Sequence, residues 1–90
     1  MDKNIFTSGQ VVATTGALAL AESGINLGSF LARHLLGDWG DLCDEDKQEN
    51  ELSVSQGYRV FSSYKTSHGK LWIITEADRS STTLLQPDEY

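Results

Sequence analysis

The stretch YRVFSSYKTSHGKLWIITEADRSSTTLLQ, Tyr58 to Gln86, decides the fold. It contains three runs rich in β-branched and aromatic residues: YRVFSSYKT, KLWIITEA and STTLLQ. Each reads as a strand. The SHGK between the first two is a tight hairpin turn, with His68 and Gly69 as its expected central residues, because glycine takes φ > 0 freely. Asp78 and Arg79 are the expected centre of the next turn. These turns set Arg59 opposite Asp78, Phe61 opposite Glu76 and Ser62 opposite Thr75. They also set Glu76 opposite Ser81 and Ile74 opposite Thr83.

Side chains alternate along a strand, so this register sorts the sheet into two faces. Tyr58, Val60, Tyr64, Leu71, Ile73 and Leu84 form the expected core face. The other face carries Phe61, Trp72, Ile74 and Leu85, with Arg59, Glu76, Asp78, Ser81 and Thr83 towards one end.

Upstream, the pattern turns helical. GQVVAT is a short extended segment. TTGALALAES follows as a short helix, capped by the hydroxyl of Thr14 or Thr15 and stopped by Gly24. Asn26 caps the next helix, LGSFLARHLL, whose Leu27, Phe30, Leu31, His34 and Leu35 form one apolar stripe. Gly37 stops it, and GDWGDL is a loop. DEDKQENELSVSQ reads as a third helix with Asp44 at its N-cap. Glu45 and Asp46 then sit where the helix dipole favours negative charge. Its apolar side is thin: Leu52 and Val54, with Asn50 beside Val54. The expected architecture is α+β, with two or three short N-terminal helices packed on one face of a C-terminal three-stranded antiparallel meander.

Ninety residues make a single domain, spanning 1–90. Hydrophobic content of 39% is too high for a disordered chain. Cys43 is the one cysteine, so neither an internal disulfide nor a cysteine-based zinc site is expected, and a reducing compartment suits it. VVATTGALALA superficially resembles a secretory core. However, Thr14, Thr15 and Gly16 interrupt it, and MDKN carries no net charge beyond its α-amino group, so no signal peptide is expected. No apolar run reaches the length of a membrane span. A net charge of −6 with scattered Lys and Arg argues against direct nucleic-acid binding.

The polar end of the sheet raises the possibility of catalysis. Arg59, Glu76, Asp78, Arg79, Ser81 and Thr83 are the parts of a small phosphate-handling site. An Arg stabilises developing charge, a carboxylate moves a proton and hydroxyls orient the phosphate. The plainer reading, a structural Arg59–Asp78 pair beside a hydroxyl-capped turn, is preferred. His34 is a candidate acid or base, but its place on an apolar stripe favours a core histidine bonded to a carbonyl or to Asp38. Cys43 stands among acids, which disfavour a thiolate nucleophile.

The acidic segment Asp38–Glu51 is the strongest charge feature. Asp38, Asp41 and Asp44 recur without the ligand pattern of a calcium loop, so no metal and no cofactor is expected. As a row of carboxylates the segment fits a protein partner with a basic surface. Asp38, Asp41, Asp44 and Glu45 would make the contact, and Trp39 would anchor either this core or the partner. A solvated helix face is the plain alternative.

Several phrases together carry a resemblance: GQVVATTGALALAESG, LARHLLGDWGDLCDEDKQENE, YRVFSSY and LWIITEADRSSTTLLQPDEY. They resemble a family of short uncharacterised "plasmid related" proteins of bacterial plasmids and integrative elements. Thr15 and Gln86 stand where that family suggests a proline and an apolar residue. The resemblance implies a bacterial cytoplasmic setting and, by analogy, an anti-defence or regulatory binding role, with no catalytic residues to carry over.

Three functions remain open at this point. The first is a non-enzymatic protein-binding factor using the acidic segment. The second is a small nuclease-like enzyme using Arg59, Glu76, Asp78 and Arg79 with His34. The third is a structural homodimer formed through Phe61, Trp72, Ile74 and Leu85.

Overall fold

The computed structural model describes residues 4–90. The charge reading of the MDKN start falls in part on residues 1–3, outside that range. The elements are β1 (Gln10–Ala13), α1 (Thr15–Glu22), α2 (Leu27–Leu35), α3 (Asp44–Gln56), β2 (Val60–Thr66), β3 (Gly69–Thr75) and β4 (Ser81–Leu85), followed by a 3₁₀ turn at Pro87–Glu89. The chain is α+β, as expected. The sheet, however, has four strands rather than three, in the order β1-β4-β3-β2. GQVVAT supplies the extra strand, which runs parallel to β4, with Val11 beside Thr82 and Ala13 beside Leu84. The helices therefore lie between two strand regions and do not precede them all.

Each helix forms for a local reason. Thr14 caps α1 by accepting the Ala17 N–H, and Asn26 caps α2 by accepting the Ser29 N–H. The N-cap of α3 is Cys43 rather than Asp44, and its side chain makes no capping bond. Asp44, Glu45 and Asp46 instead fill the first turn, where negative charge is favoured. Gly57, at φ 79°, closes α3 in the left-handed conformation.

All three helices cover one face of the sheet. Ala17 and Leu20 of α1 pack with Tyr64, Leu71, Ile73 and Leu84, and Phe30 and Leu31 of α2 close over them. A second cluster joins Phe6, Leu35, Trp39 and Val60, with Val54 of α3 at its border. The expected core face thus holds at Val60, Tyr64, Leu71, Ile73 and Leu84. Tyr58 departs from it: it precedes β2 and is 55% exposed. Leu52 also points away from the core, at 47% exposed.

The first hairpin is set differently from the expected one. Its tip is Ser67-His68, and Thr66 faces Gly69. The Thr66 hydroxyl donates to the Gly69 carbonyl and accepts the His68 N–H, which holds the turn one residue earlier. Phe61 therefore pairs with Ile74, not Glu76, and Ser62 with Ile73, not Thr75. The slip is even, so every side chain keeps its face. In the second turn the expected pairings hold: Ile74 faces Thr83, and the Glu76 N–H donates to the Ser81 carbonyl.

The outer edge of β2 is sealed residue by residue. The Asn50 side chain donates to the Phe61 carbonyl and accepts the Phe61 N–H. The Ser63 N–H donates to the Trp39 carbonyl, and the Ser63 carbonyl accepts the Asp41 N–H. The Lys65 N–H donates to the Asp41 carboxylate at 2.6 Å. Only glycine fits at position 40, because a Cβ there would collide with the Ser63 carbonyl and the Tyr64 ring. An open strand edge invites pairing with other chains, and this one is closed by side-chain amide, main chain and carboxylate in turn. Asn50→Leu should therefore cost about 1–3 kcal/mol in urea denaturation and raise turbidity on standing. Unchanged stability and solubility would show that Asn50 is not needed to close this edge.

Candidate functional site

The residues proposed as a catalytic cluster do not converge on a reaction centre. Arg59 pairs with Glu76 at 3.2 Å rather than with Asp78. The hairpin register explains this, since the slip that sets Val60 opposite Thr75 also brings Arg59 level with Glu76. The second Arg59 nitrogen donates to the Tyr90 hydroxyl at 3.0 Å. Asp78 lies in the turn and accepts the Ser80 N–H. Its carboxyl is held below the usual range first by the Ser80 hydroxyl and then by that N–H.

Arg79 is a structural strut. It has a φ of 61°, uncommon for a side chain with a Cβ. Its Nη1 lies among the carbonyls of Tyr58, Glu76 and Ala77, and its Nη2 donates to the Ser53 carbonyl of α3 at 3.0 Å. The guanidinium also stands 5.4 Å from the Phe6 ring centre. One cation thus ties the β3–β4 turn, the end of α3 and the N-terminal segment together. No local sequence signal marks this role, because every acceptor is main chain.

His34 is a core histidine, but neither Asp38 nor a carbonyl bonds its ring. Its Nδ1 meets the Ser62 hydroxyl at 2.5 Å and its Nε2 the Thr75 hydroxyl at 2.9 Å. Thr75 continues to Thr82, whose hydroxyl donates to the Ser8 carbonyl. This pattern fixes the proton positions. Thr82 spends its proton on Ser8, so Thr75 donates to Thr82 and Nε2–H donates to Thr75. The neutral ring then accepts from Ser62 at Nδ1. Phe6 and Trp39 flank the imidazole edge to face.

The acidic segment divides into two parts. Asp38 pairs with Arg33 at 2.7 Å, and that bond is the main cause of its lowered carboxyl pKa. Asp41 seals β2. Trp39 is an internal anchor: it is 4% exposed, stacks on Phe6, and donates its indole N–H to Glu51 at 2.9 Å. Asp44 and Glu45, with Asp46 and Glu49, stay exposed on α3. Among the described residues none of them has a cation within ion-pair distance.

The sheet face opposite the helices holds a groove of about 270 Å³ lined by Arg59, Phe61, Trp72, Ile74 and Tyr90. Phe61 meets Trp72 edge to face at 4.9 Å, and Trp72 meets Tyr90 at 5.9 Å. Of the expected dimer face, Ile74 and Leu85 are already buried, at 6% and 5% exposed. Phe61 and Trp72 remain half-buried. Tyr90, which sequence reasoning missed, comes over this face from the 3₁₀ turn. That turn is held by Glu89, whose carboxylate accepts from the Thr14 hydroxyl and the Gly16 N–H at the start of α1. Among the described residues no group of three His, Cys, Asp or Glu side chains is placed to hold a metal ion. No described helix is long and apolar enough to cross a membrane.

A 46-residue stretch, 51% of this chain, is 41% identical to NAP1-binding protein 2 of Saccharomyces cerevisiae (strain ATCC 204508 / S288c). The matched stretch covers 19% of that yeast protein, about a fifth of its length. No protein-family model matches the chain, and no solved structure does. These findings overturn the resemblance to bacterial plasmid proteins, together with the bacterial, mobile-element setting taken from it. The yeast relative is named for binding NAP1.

Burial, and secondarily the charge of Arg79, pushes His34 down to about 3 from its ordinary 6.5. Between those values the unfolded chain binds a proton that the folded chain does not. Stability is therefore full above the ordinary value and falls as pH drops towards the folded one, at up to roughly 1.4 kcal/mol per pH unit. Urea titrations between about pH 4.5 and 6.5 sample this window above the lowered carboxyls. His34→Gln should lower stability at neutral pH and flatten the slope, and an unchanged slope would remove the histidine from this account.

Proposed function

We propose that this domain is a non-catalytic protein-binding module that presents the outer face of α3 to a basic partner surface. One observation carries the reading. The candidate catalytic groups are bonded within the fold, whereas Asp44, Glu45, Asp46 and Glu49 stand exposed, with no ion-pair partner among the described residues, on a helix whose inner side is fixed. That fixing comes from Asn50 on β2 and from Glu51 on Trp39. Leu52, 47% exposed, adds an apolar contact beside the acids. A rigid row of like charges speeds and orients association with an opposite surface, at a strength that falls with salt. The yeast relative's name gives the general class, a protein that binds a protein.

The groove of Phe61, Trp72 and Tyr90 supports a second reading, in which an extended apolar peptide is the ligand. Partly exposed aromatic rings around a depression are common energetic centres of interfaces.

Peptides selected on phage against the purified protein separate the two readings. The first expects basic sequences whose affinity drops at least about tenfold between low and physiological salt. It also expects the joint variant Glu45→Lys with Glu49→Lys to abolish binding, while Glu22→Lys with Asp88→Lys, equal in net charge, leaves it within about threefold. Equal losses from both pairs would reduce the effect to net charge and overturn the α3 reading. Apolar sequences that ignore salt and are lost with Trp72→Ala would support the groove instead.

A further inference from the structure

The two edges of the sheet are treated in opposite ways. The edge at β2 is sealed by Asn50, Trp39 and Asp41, as described above. Among the described residues, nothing seals the edge at β1. The parallel ladder with β4 uses the Gln10 N–H, which donates to Ser80, and the Thr14 N–H, which donates to Leu84. By the alternation of a strand, Val12 also faces β4, and the main-chain groups of Val11 and Ala13 face outward. No described side chain bonds them. Val11 and Val12 are 46% and 44% exposed, on opposite faces of the strand.

The surroundings of this edge narrow what can pair with it. From Asn4 to Ala21 the chain has no charged side chain, although its net charge is −6. Two copies of an acidic protein repel one another, and the approach that costs least is through a face without charge. β1 and the adjoining side of α1, where Leu18 is 51% exposed and Ala21 and Thr15 lie beside it, form such a face, which ends at Glu22 on the last turn of the helix. Natural edges are commonly protected by charge, proline or a bulge, and β1 has none of these.

We infer that β1 is a self-association edge, and that its occupant is β1 of a second copy of this chain, paired antiparallel about a two-fold axis at Val12. The pairing is self-complementary. Val11 of each copy lies opposite Ala13 of the other, and both residues carry outward N–H and C=O groups, so each such pair exchanges both main-chain hydrogen bonds. Val12 meets its own copy between them on the face without helices. The two sheets become one, and the exposed side of α1 in each copy comes beside that of the other on the helix-covered face. The inference is independent of the α3 reading, since it uses neither that helix nor its charges.

Sedimentation equilibrium from about 10 μM to about 1 mM, with amide hydrogen exchange at both ends, tests it. The expected result is a monomer–dimer equilibrium in which the Val11 and Ala13 amides become protected as the dimer forms. The Val12 amide, bonded to β4, is protected throughout. Val12→Lys reduces the net negative charge, so general repulsion falls, yet it should leave the protein monomeric by setting two ammonium groups together. Val11→Pro removes an N–H that the internal ladder does not use and should weaken dimerisation at least about tenfold, with circular dichroism reporting the fold. A monomer at the highest concentration overturns the inference. So does a dimer that survives Val12→Lys, leaves the Val11 and Ala13 amides unprotected, or is abolished by Trp72→Ala on the other surface. If Val11→Pro fails to fold, Val12→Lys and the wild-type exchange pattern still decide.

Discussion

A neutral histidine organises the interior. His34 reaches from α2 to β2 through Ser62 and to β3 through Thr75, and Thr75 passes the chain of bonds to β4 and the Ser8 main chain. Ser62, Thr75 and Thr82 are wholly buried. A buried hydroxyl without a partner costs on the order of 1–3 kcal/mol, so each is tolerable only because the string is complete. An apolar side chain at position 34 would strand Ser62 together with the proton order of the threonines. The helix layer therefore has one seating on the sheet in which these groups are all satisfied. Position as well as affinity is set by hydrogen bonding in an otherwise apolar layer.

The sequence revealed local features well and remote ones poorly. The period-two pattern of Val60, Tyr64, Leu71, Ile73 and Leu84 placed the core face, and the caps at Thr14 and Asn26 were readable from side-chain chemistry. The first hairpin misled because glycine drew the turn to itself, whereas the Thr66 hydroxyl was free to close it earlier. The fourth strand was visible as an extended segment. Its partner was not, since nothing local in Gln10–Ala13 specifies Ser81–Leu84. The site residues follow the same division. His34 was legible as a core histidine from its place in the stripe. Its hydroxyl partners lie far away in sequence. Asn50, Arg79 and Glu89 were illegible in their roles because they bond mainly to main-chain groups, which leave no mark in side-chain pattern.

Polar residues that looked like chemistry are mostly fastenings. Arg79 and Asp41 hold backbone, Arg59 holds Glu76 and Tyr90, and Trp39 serves its own core. What remains outward sorts by character: carboxylates on α3, aromatic rings on the open sheet face, and a margin at β1 and α1 that is uncharged as far as Ala21. A small domain with few side chains to spare can keep such surfaces distinct only if the fastenings are economical. Here a single guanidinium joins a turn, a helix end and the chain's early segment.

The parallel pairing of β1 with β4 also orders events during synthesis. Gln10–Ala13 leaves the ribosome long before Ser81–Leu84 exists, and Ser8 waits for Thr82 in the same way. Contacts this distant along the chain form late, because the intervening loop must be closed first. The β2–β3 hairpin and the capped helices are local and can assemble early. For that interval an uncharged, apolar segment is without its partner, next to a half-built sheet. The nascent chain is therefore most exposed to mispairing at β1, and the synthesis of β4 retires the risk.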